Sequence, residues 1–122
     1  MNNKIVGNLG EKIAEKILKD SGYKIIDKNF KCSIGEIDII TEKDNNLIFI
    51  EVKTRTSIKY GSPSDAVNFY KRNKIIKVAQ TFIMLNKKYI NFSIRFDVFE
   101  IFLKPSTFEL NKINHIKNAF TL

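Results

Sequence analysis

Asp38, Glu51 and Lys53 stand at spacings that a β-hairpin would gather on one face. The segments around them, Gly35-Glu36-Ile37-Asp38-Ile39-Ile40 and Leu47-Ile48-Phe49-Ile50-Glu51-Val52-Lys53, are rich in isoleucine and flank Asp44-Asn45-Asn46. That is the composition of two strands joined by a tight turn. Side chains alternate along a strand, which puts Glu36, Asp38 and Ile40 on one side and Ile37 and Ile39 on the other, with Glu51 and Lys53 together in the second strand. A two-residue turn at Asp44-Asn45 sets Asp38 opposite Glu51 and Glu36 opposite Lys53, with opposed Cβ atoms roughly 4.5–5.5 Å apart. A turn at Asn45-Asn46 keeps the four together but opposes Asp38 to Lys53. A three-residue turn without a bulge brings Val52 opposite Asp38 and scatters the group.

The chemistry follows from the residue types. Two close carboxylates repel unless a cation neutralises them, and Mg²⁺ (or Mn²⁺) is commonly held by one or two carboxylates plus water and phosphate oxygens. Such an ion lowers the pKa of its water and offsets charge building on a phosphoryl transition state. Lys53 is placed to orient that water or stabilise that charge, and no nucleophilic side chain is required. The competing reading is a surface ladder of ion pairs across a hairpin. Against it, Glu51-Val52-Lys53 is the only acidic-x-Lys triplet in the chain and follows an apolar run that reads as a buried strand.

The elements that must position these groups are legible around them. Leu9, Ile13, Ile17 and Leu18, with Gly7, Gly10 and Ala14 in the same arc, predict an amphipathic helix over 4–20 that Ser21-Gly22 stops. Tyr23 to Phe30 reads as a strand, followed by the two strands Gly35–Lys43 and Leu47–Thr54. Gly61-Ser62-Pro63-Ser64-Asp65 reads as a helix start, with Ser62 as cap and Pro63 in the first helical position, for a helix running to about Leu85. Phe92 to Leu103 is dense in β-branched and aromatic residues, Pro105 ends that strand, and a weak signal near Lys112 to Ile116 suggests a short further one. The order α-β-β-β-α-β, with that short C-terminal strand, predicts one α/β domain over residues 1–122, a mixed sheet flanked by helices.

Bulk properties narrow the partners. The length of 122 residues suits one core, 43% hydrophobic and 28% charged residues suit a soluble protein, and no apolar run approaches a membrane span. The N-terminus lacks the pattern of a secretory signal, and the lone Cys32 excludes an internal disulfide framework, so a cytoplasmic location is expected. The net charge of +8 favours a polyanionic partner. That signal is discounted because 18 of the 21 basic residues are Lys in a chain rich in Lys, Asn and Ile, the bias of an A/T-rich genome.

Gly35-Glu36-Ile37-Asp38-Ile39-Ile40, Phe49-Ile50-Glu51-Val52-Lys53-Thr54-Arg55, Arg95-Phe96-Asp97-Val98 and His115-Ile116-Lys117-Asn118-Ala119-Phe120 together resemble the YraN family of bacterial proteins, uncharacterised protein family 0102. The likeness extends to Gly10-Glu11, Ala14, Leu18, Gly61, Pro63, Ala66, Val67 and Lys71. The resemblance implies a restriction-endonuclease-like fold related to Holliday-junction resolvases, a Mg²⁺- or Mn²⁺-dependent nuclease activity on branched or single-stranded DNA, and a site at Asp38, Glu51 and Lys53. It also implies a homodimer, although no long exposed apolar stripe demands one. Ile37 departs from the wider superfamily, where proline often precedes the aspartate. Two other readings stay open: a nucleic-acid-binding module of the same fold that does not cut, and an accessory protein acting through a DNA-processing partner.

Further residues are candidates beside bland alternatives. Glu11 falls at the edge of the apolar arc and either reaches over the sheet toward Asp38, as a helix glutamate does in resolvase-like nucleases, or is solvated. Lys71 falls inside the apolar arc of Val67, Ile75, Val78 and Phe82, where a lysine needs a partner: it reaches the carboxylates or a phosphate, or it snorkels out. Arg55, Lys59, Arg72 and Lys74 are candidates for sequence-tolerant contacts with backbone phosphate, or solvated charges. Arg95 and Asp97 share a strand face and are expected to pair, and the single His115 reads as structural rather than as a zinc ligand.

Overall fold

A computed structural model of the chain describes residues 3–56 and 69–120. Helix α1 (Asn3–Asp20) buries Val6, Ala14 and Leu18, with Leu9, Ile13 and Ile17 packed alongside, the stripe that the spacing predicts. Its end has a specific cause. The Tyr23 N–H donates to the Leu18 carbonyl at 2.9 Å and the Gly22 N–H to that of Lys19 at 3.1 Å, a Schellman closure that needs the positive φ of +90° at Gly22. Tyr23 and Leu18 join the same core, so the closure also aims the chain into the sheet.

Strands β1 (Lys24–Lys31), β2 (Glu36–Lys43) and β3 (Asn46–Arg55) follow, then helix α2 (Phe69–Leu85), a 3₁₀ turn at Lys87–Tyr89, and strands β4 (Ser93–Leu103) and β5 (Leu110–Phe120). The predicted helix start at residues 61–65 lies outside the described residues. The sheet has the order β1-β2-β3-β4-β5 and is antiparallel except between β3 and β4, whose parallel pairing requires the crossover that contains α2. The C-terminal strand is much longer than the sequence suggests, pairing with β4 from Leu103↔Leu110 to Phe96↔Phe120. Its first five residues are exposed, so Asn and Lys occupy positions that a buried strand would fill with apolar side chains, and the usual strand signal is weak.

Each face of the sheet carries its own core. Ile40, Phe49, Phe96 and Val98 pack against Ile75, Val78, Ala79 and Phe82 of α2, while Ile39, Ile48, Ile50, Phe99 and Ile101 pack against α1. The helices thus flank the sheet, and no described helix is long and apolar enough to cross a membrane.

The α1 contact is close at one point. A Cβ at Gly10 would overlap the Thr54 side chain, so glycine lets α1 settle onto the end of β3. Gly10→Ala is therefore expected to lower stability by roughly 1–3 kcal/mol, the usual cost of overpacking, although alanine favours the helix. Urea denaturation measures this; a stability equal to or above wild type would mean that α1 does not press on Thr54.

Candidate active site

The site begins with a turn. Asp44 and Asn45 both take positive φ, 52° and 62°, as a two-residue type I′ hairpin requires. The resulting register, Lys43↔Asn46 through Ile39↔Ile50, is the one that points Asp38 toward Glu51.

Beyond Ile39 the strands part. Strand β2 stays with β1, pairing Ile37 with Phe30 and Glu36 with Lys31, while β3 continues beside β4 as far as Arg55↔Phe102. The expected pairing of Glu36 with Lys53 therefore does not form, and Glu36 instead faces Lys31 across β1 with 3.9 Å between their charged atoms. Alternation breaks here too: Ile37 belongs to the α2-side core and Ile39 to the α1-side core, although simple alternation puts them on one face. Asp38 bridges the opening, with Oδ2 accepting the Val52 N–H at 2.8 Å. A side chain has replaced the next rung of the ladder.

A cleft of about 210 Å³ between sheet and α2 is lined by Asp38, Glu51, Glu36, Lys71 and Lys74 above an apolar floor. Glu51 is only 9% exposed. Burial, reinforced by the Asp38 charge, pushes its carboxyl up to about 8 against the opposing pull of Lys71 and Lys53. Burial also raises Asp38, which the Val52 N–H partly offsets. Lys53 is held down to about 8 by burial and by neighbouring Lys71, with which it shares a hydrogen bond, while Glu51 acts in the opposite direction. Burial is thus the largest cause at all three groups, and the charges around them only modify it.

The outlying candidates divide. Glu11 does feel Asp38: burial first, then the Asp38 and Glu36 charges, raise its carboxyl, while a side-chain hydrogen bond with Asn29 lowers it. It lines a second cleft, between α1 and the end of β3, with Lys53 and Arg55. Lys71 lies in the carboxylate cleft, as its place in the apolar arc suggests. Lys74 also lines that cleft, with its amine 4.8 Å from the Tyr70 ring centroid. Arg72 is exposed, its guanidinium 5.7 Å from the Phe120 ring centroid. Lys59 lies outside the described residues.

Arg95 and Asp97 pair as expected, Nε and one terminal nitrogen of the guanidinium each donating at 2.9 Å. His115 Nε2 lies 2.7 Å from Asp97 Oδ2, and the Asn118 N–H donates to Oδ1 at 3.0 Å. Burial alone would raise Asp97, but His115, Arg95 and Asn118 outweigh it and hold the carboxyl below its usual range. Sequence reasoning passed over Glu100, a fully buried acid beside Lys53 in the β3–β4 register; Asn114 donates to Oε1 at 2.8 Å, and Oε2 has no hydrogen-bond partner among the described residues. Its place within an apolar strand is the signal that could have found it.

Among the described residues, no group of three or more His, Cys, Asp or Glu side chains is arranged to enclose a metal ion. The Asp38–Glu51 pair nonetheless fits a hard cation that keeps several waters and takes one or two carboxylates, which is the habit of Mg²⁺. A cation there would also offset the burial, and the neighbouring carboxylate charge, that raise both carboxyls.

The family model of uncharacterised protein family UPF0102 matches residues 10–101, a span that includes Glu11, Asp38, Glu51, Lys53 and Lys71. A UPF0102 protein of Caldanaerobacter subterraneus subsp. tengcongensis is 51% identical over 120 residues, covering 98% of each chain. A UPF0102 protein of Clostridium botulinum is 50% identical over 121 residues, covering 98% of this chain and 97% of the relative.

The raised Glu51 carboxyl has a measurable consequence. Between about 4.5, where an ordinary glutamate ionises, and about 8, the folded chain holds a proton that the unfolded chain has lost. Stability without a divalent cation therefore falls as pH rises through that window. Glu51→Gln is expected to remove this fall, so in EDTA the variant should gain on wild type by more than about 1 kcal/mol between about pH 5 and pH 8. Urea unfolding at the two pH values checks it, and parallel changes in both proteins would mean that Glu51 ionises normally.

Proposed function

The chain belongs to uncharacterised protein family UPF0102, and for it we propose a divalent-metal-dependent phosphodiesterase acting on DNA. One observation carries this reading: Asp38 and Glu51, supplied by strands that separate beside them, line a single cleft with Lys71 and have Lys53 adjacent. Two largely buried carboxylates on one wall, with raised pKa values, are costly to a fold that has no use for them.

Asp38 and Glu51 would hold Mg²⁺ or Mn²⁺, which when bound supplies an activated water and neutralises charge developing on the phosphate. Asp38 is fixed for this task because Oδ2 is anchored to the Val52 N–H. Glu51 carries a proton at neutral pH without a cation and would release it as a ligand, so cation binding strengthens as pH rises toward about 8. Lys53 and Lys71 supply donors to phosphate oxygens, Lys53 being placed to orient the attacking water. Lys53 would become more fully charged once an anionic phosphate enters beside it. Glu11 supports Asp38 from the opposite helix. Arg55 at the end of β3, with Arg72 and Lys74 on α2, would contact neighbouring phosphates without reading bases. The net charge of +8 favours the approach of a polyanion to an otherwise acidic cleft.

With about 10 mM Mg²⁺ or Mn²⁺, the purified chain is expected to cleave at least one of single-stranded, duplex or branched oligonucleotides. Asp38→Ala and Glu51→Ala should each reduce the rate by at least about 100-fold, and Lys53→Met by about 100- to 1000-fold. Cleavage that persists in Asp38→Ala would refute the proposal. DNA binding that survives EDTA and Glu51→Ala, with no cleavage by any of the proteins, would favour a non-catalytic nucleic-acid-binding module.

A further inference from the structure

Glu100 is 1% exposed, yet only half of its carboxyl is accounted for. Asn114 donates to Oε1 at 2.8 Å, and Oε2 has no hydrogen-bond partner among the described residues. A carboxyl oxygen shut away from water in this way is costly in either protonation state, and folded proteins rarely keep one. The other buried acids of the sheet are treated differently: Asp97 is surrounded by Arg95, His115 and the Asn118 N–H, and Asp38 has the Val52 N–H. The chemistry assigned to Asp38 and Glu51 makes no use of Glu100.

The strand register shows which group is placed to serve the free oxygen. Glu100 is paired with Lys53 of β3 on one side and with Asn114 of β5 on the other. Alternation puts Lys53 on the face of β3 that carries Phe49 and Glu51, and Glu100 on the face of β4 that carries Phe96 and Val98, both toward α2. The two side chains therefore stand next to one another on strands about 4.8 Å apart. Along β4 the same-face neighbours of Glu100 are Val98 and Phe102, which are apolar. Arg55 is opposite Phe102 rather than Glu100, and Lys112 holds its amine 5.8 Å from the Phe102 ring centroid. With Asn114 already on Oε1, Lys53 is the in-register donor for Oε2. Its amine is turned elsewhere, sharing a hydrogen bond with Lys71, and none of the ion pairs among the described residues includes it.

We propose that Glu100 is the positioning residue for Lys53, and that its free oxygen receives the Lys53 amine when an anionic phosphate occupies the cleft and draws Lys71. The inference rests on the nucleic-acid reading above and adds a residue to its machinery. An ammonium group donates three hydrogen bonds and accepts none. One of them given to Oε2 fixes the amine at the end of its flexible stem, and two remain for a phosphate oxygen and the attacking water. A second lysine cannot be that anchor, because an ammonium offers no acceptor. Asn114, Glu100 and Lys53 thus form one row across β5, β4 and β3, in which the exposed edge strand holds the acid and the acid holds the lysine.

The test is a double-mutant cycle of Glu100→Gln with Lys53→Met. It is read by fluorescence anisotropy in Ca²⁺ on fluorescein-labelled single-stranded and duplex oligonucleotides, and by single-turnover cleavage in Mn²⁺. Removing an acid beside a site for a polyanion ordinarily tightens binding. Glu100→Gln is expected to do the opposite, weakening DNA binding at least about threefold and slowing cleavage about 10- to 100-fold, because Lys53 loses its anchor. In the Lys53→Met background the same substitution should weaken neither. Asn114→Ala, at an exposed position, releases Oε1 and should give a smaller loss with the same dependence on Lys53; it decides the matter alone if Glu100→Gln does not fold. Binding and cleavage undiminished in both variants, or an equal loss with and without Lys53, would overturn the inference, the equal loss marking Glu100 as structural. Wild type that binds DNA without cleaving it, with a loss of affinity in Glu100→Gln that depends on Lys53, would refute the phosphodiesterase and leave the positioning role standing. Cleavage by wild type with no Lys53-dependent loss in either variant would do the reverse, and a wild type that neither binds nor cleaves would refute both.

Discussion

Where β2 leaves β3 beyond Ile39, the Val52 N–H loses its ladder partner and is taken by Oδ2 of Asp38 at 2.8 Å. Much of the site depends on that substitution. It fixes Asp38 in the fork with one oxygen committed to the backbone. It also leaves Glu51 and Lys53 on a stretch of strand that, among the described residues, pairs with β4 alone. Upstream causes are few: positive φ at Asp44 and Asn45 sets the register, and the missing Cβ at Gly10 lets α1 approach Thr54. A one-residue slip would turn Asp38 away from Glu51.

The electrostatics distinguish this pair from another buried acid in the same sheet. Asp97 is more deeply buried than Asp38, yet Arg95, His115 and the Asn118 N–H surround it with donors and hold its carboxyl down. That cluster ties β5 to β4 and is electrically satisfied. Asp38 and Glu51 have the Val52 N–H and two mutually repelling lysines, and their carboxyls rise. A fold able to surround Asp97 with donors leaves the burial of the other two acids uncompensated, which is the condition that a cation relieves.

Much of this was legible in the residues. Strand alternation and the two-residue turn brought Asp38 toward Glu51, and a lysine inside an apolar helical arc singled out Lys71 while leaving open whether it turned to the carboxylates or snorkelled out. Alternation failed at Ile37 and at the Glu36–Lys53 pair for one reason: the pattern of a strand does not say where its neighbour leaves it. The length of β5 was hidden because an exposed edge strand does not need the apolar side chains by which strands are recognised. The Gly7 and Gly10 pair shows a similar limit. In sequence both are small residues in one arc, and only the surroundings separate a glycine pressed by Thr54 from one with no contact among the described residues.

The account turns on whether one divalent cation sits between Asp38 and Glu51. A crystal soaked in about 10 mM MnCl₂ near pH 8, where Glu51 gives up its proton most readily, tests this through the anomalous signal of manganese. The expected result is one strong peak within about 2.0–2.4 Å of a carboxylate oxygen from each residue, absent from crystals of Asp38→Asn. A cleft without a peak, or a peak unchanged in Asp38→Asn, would contradict it.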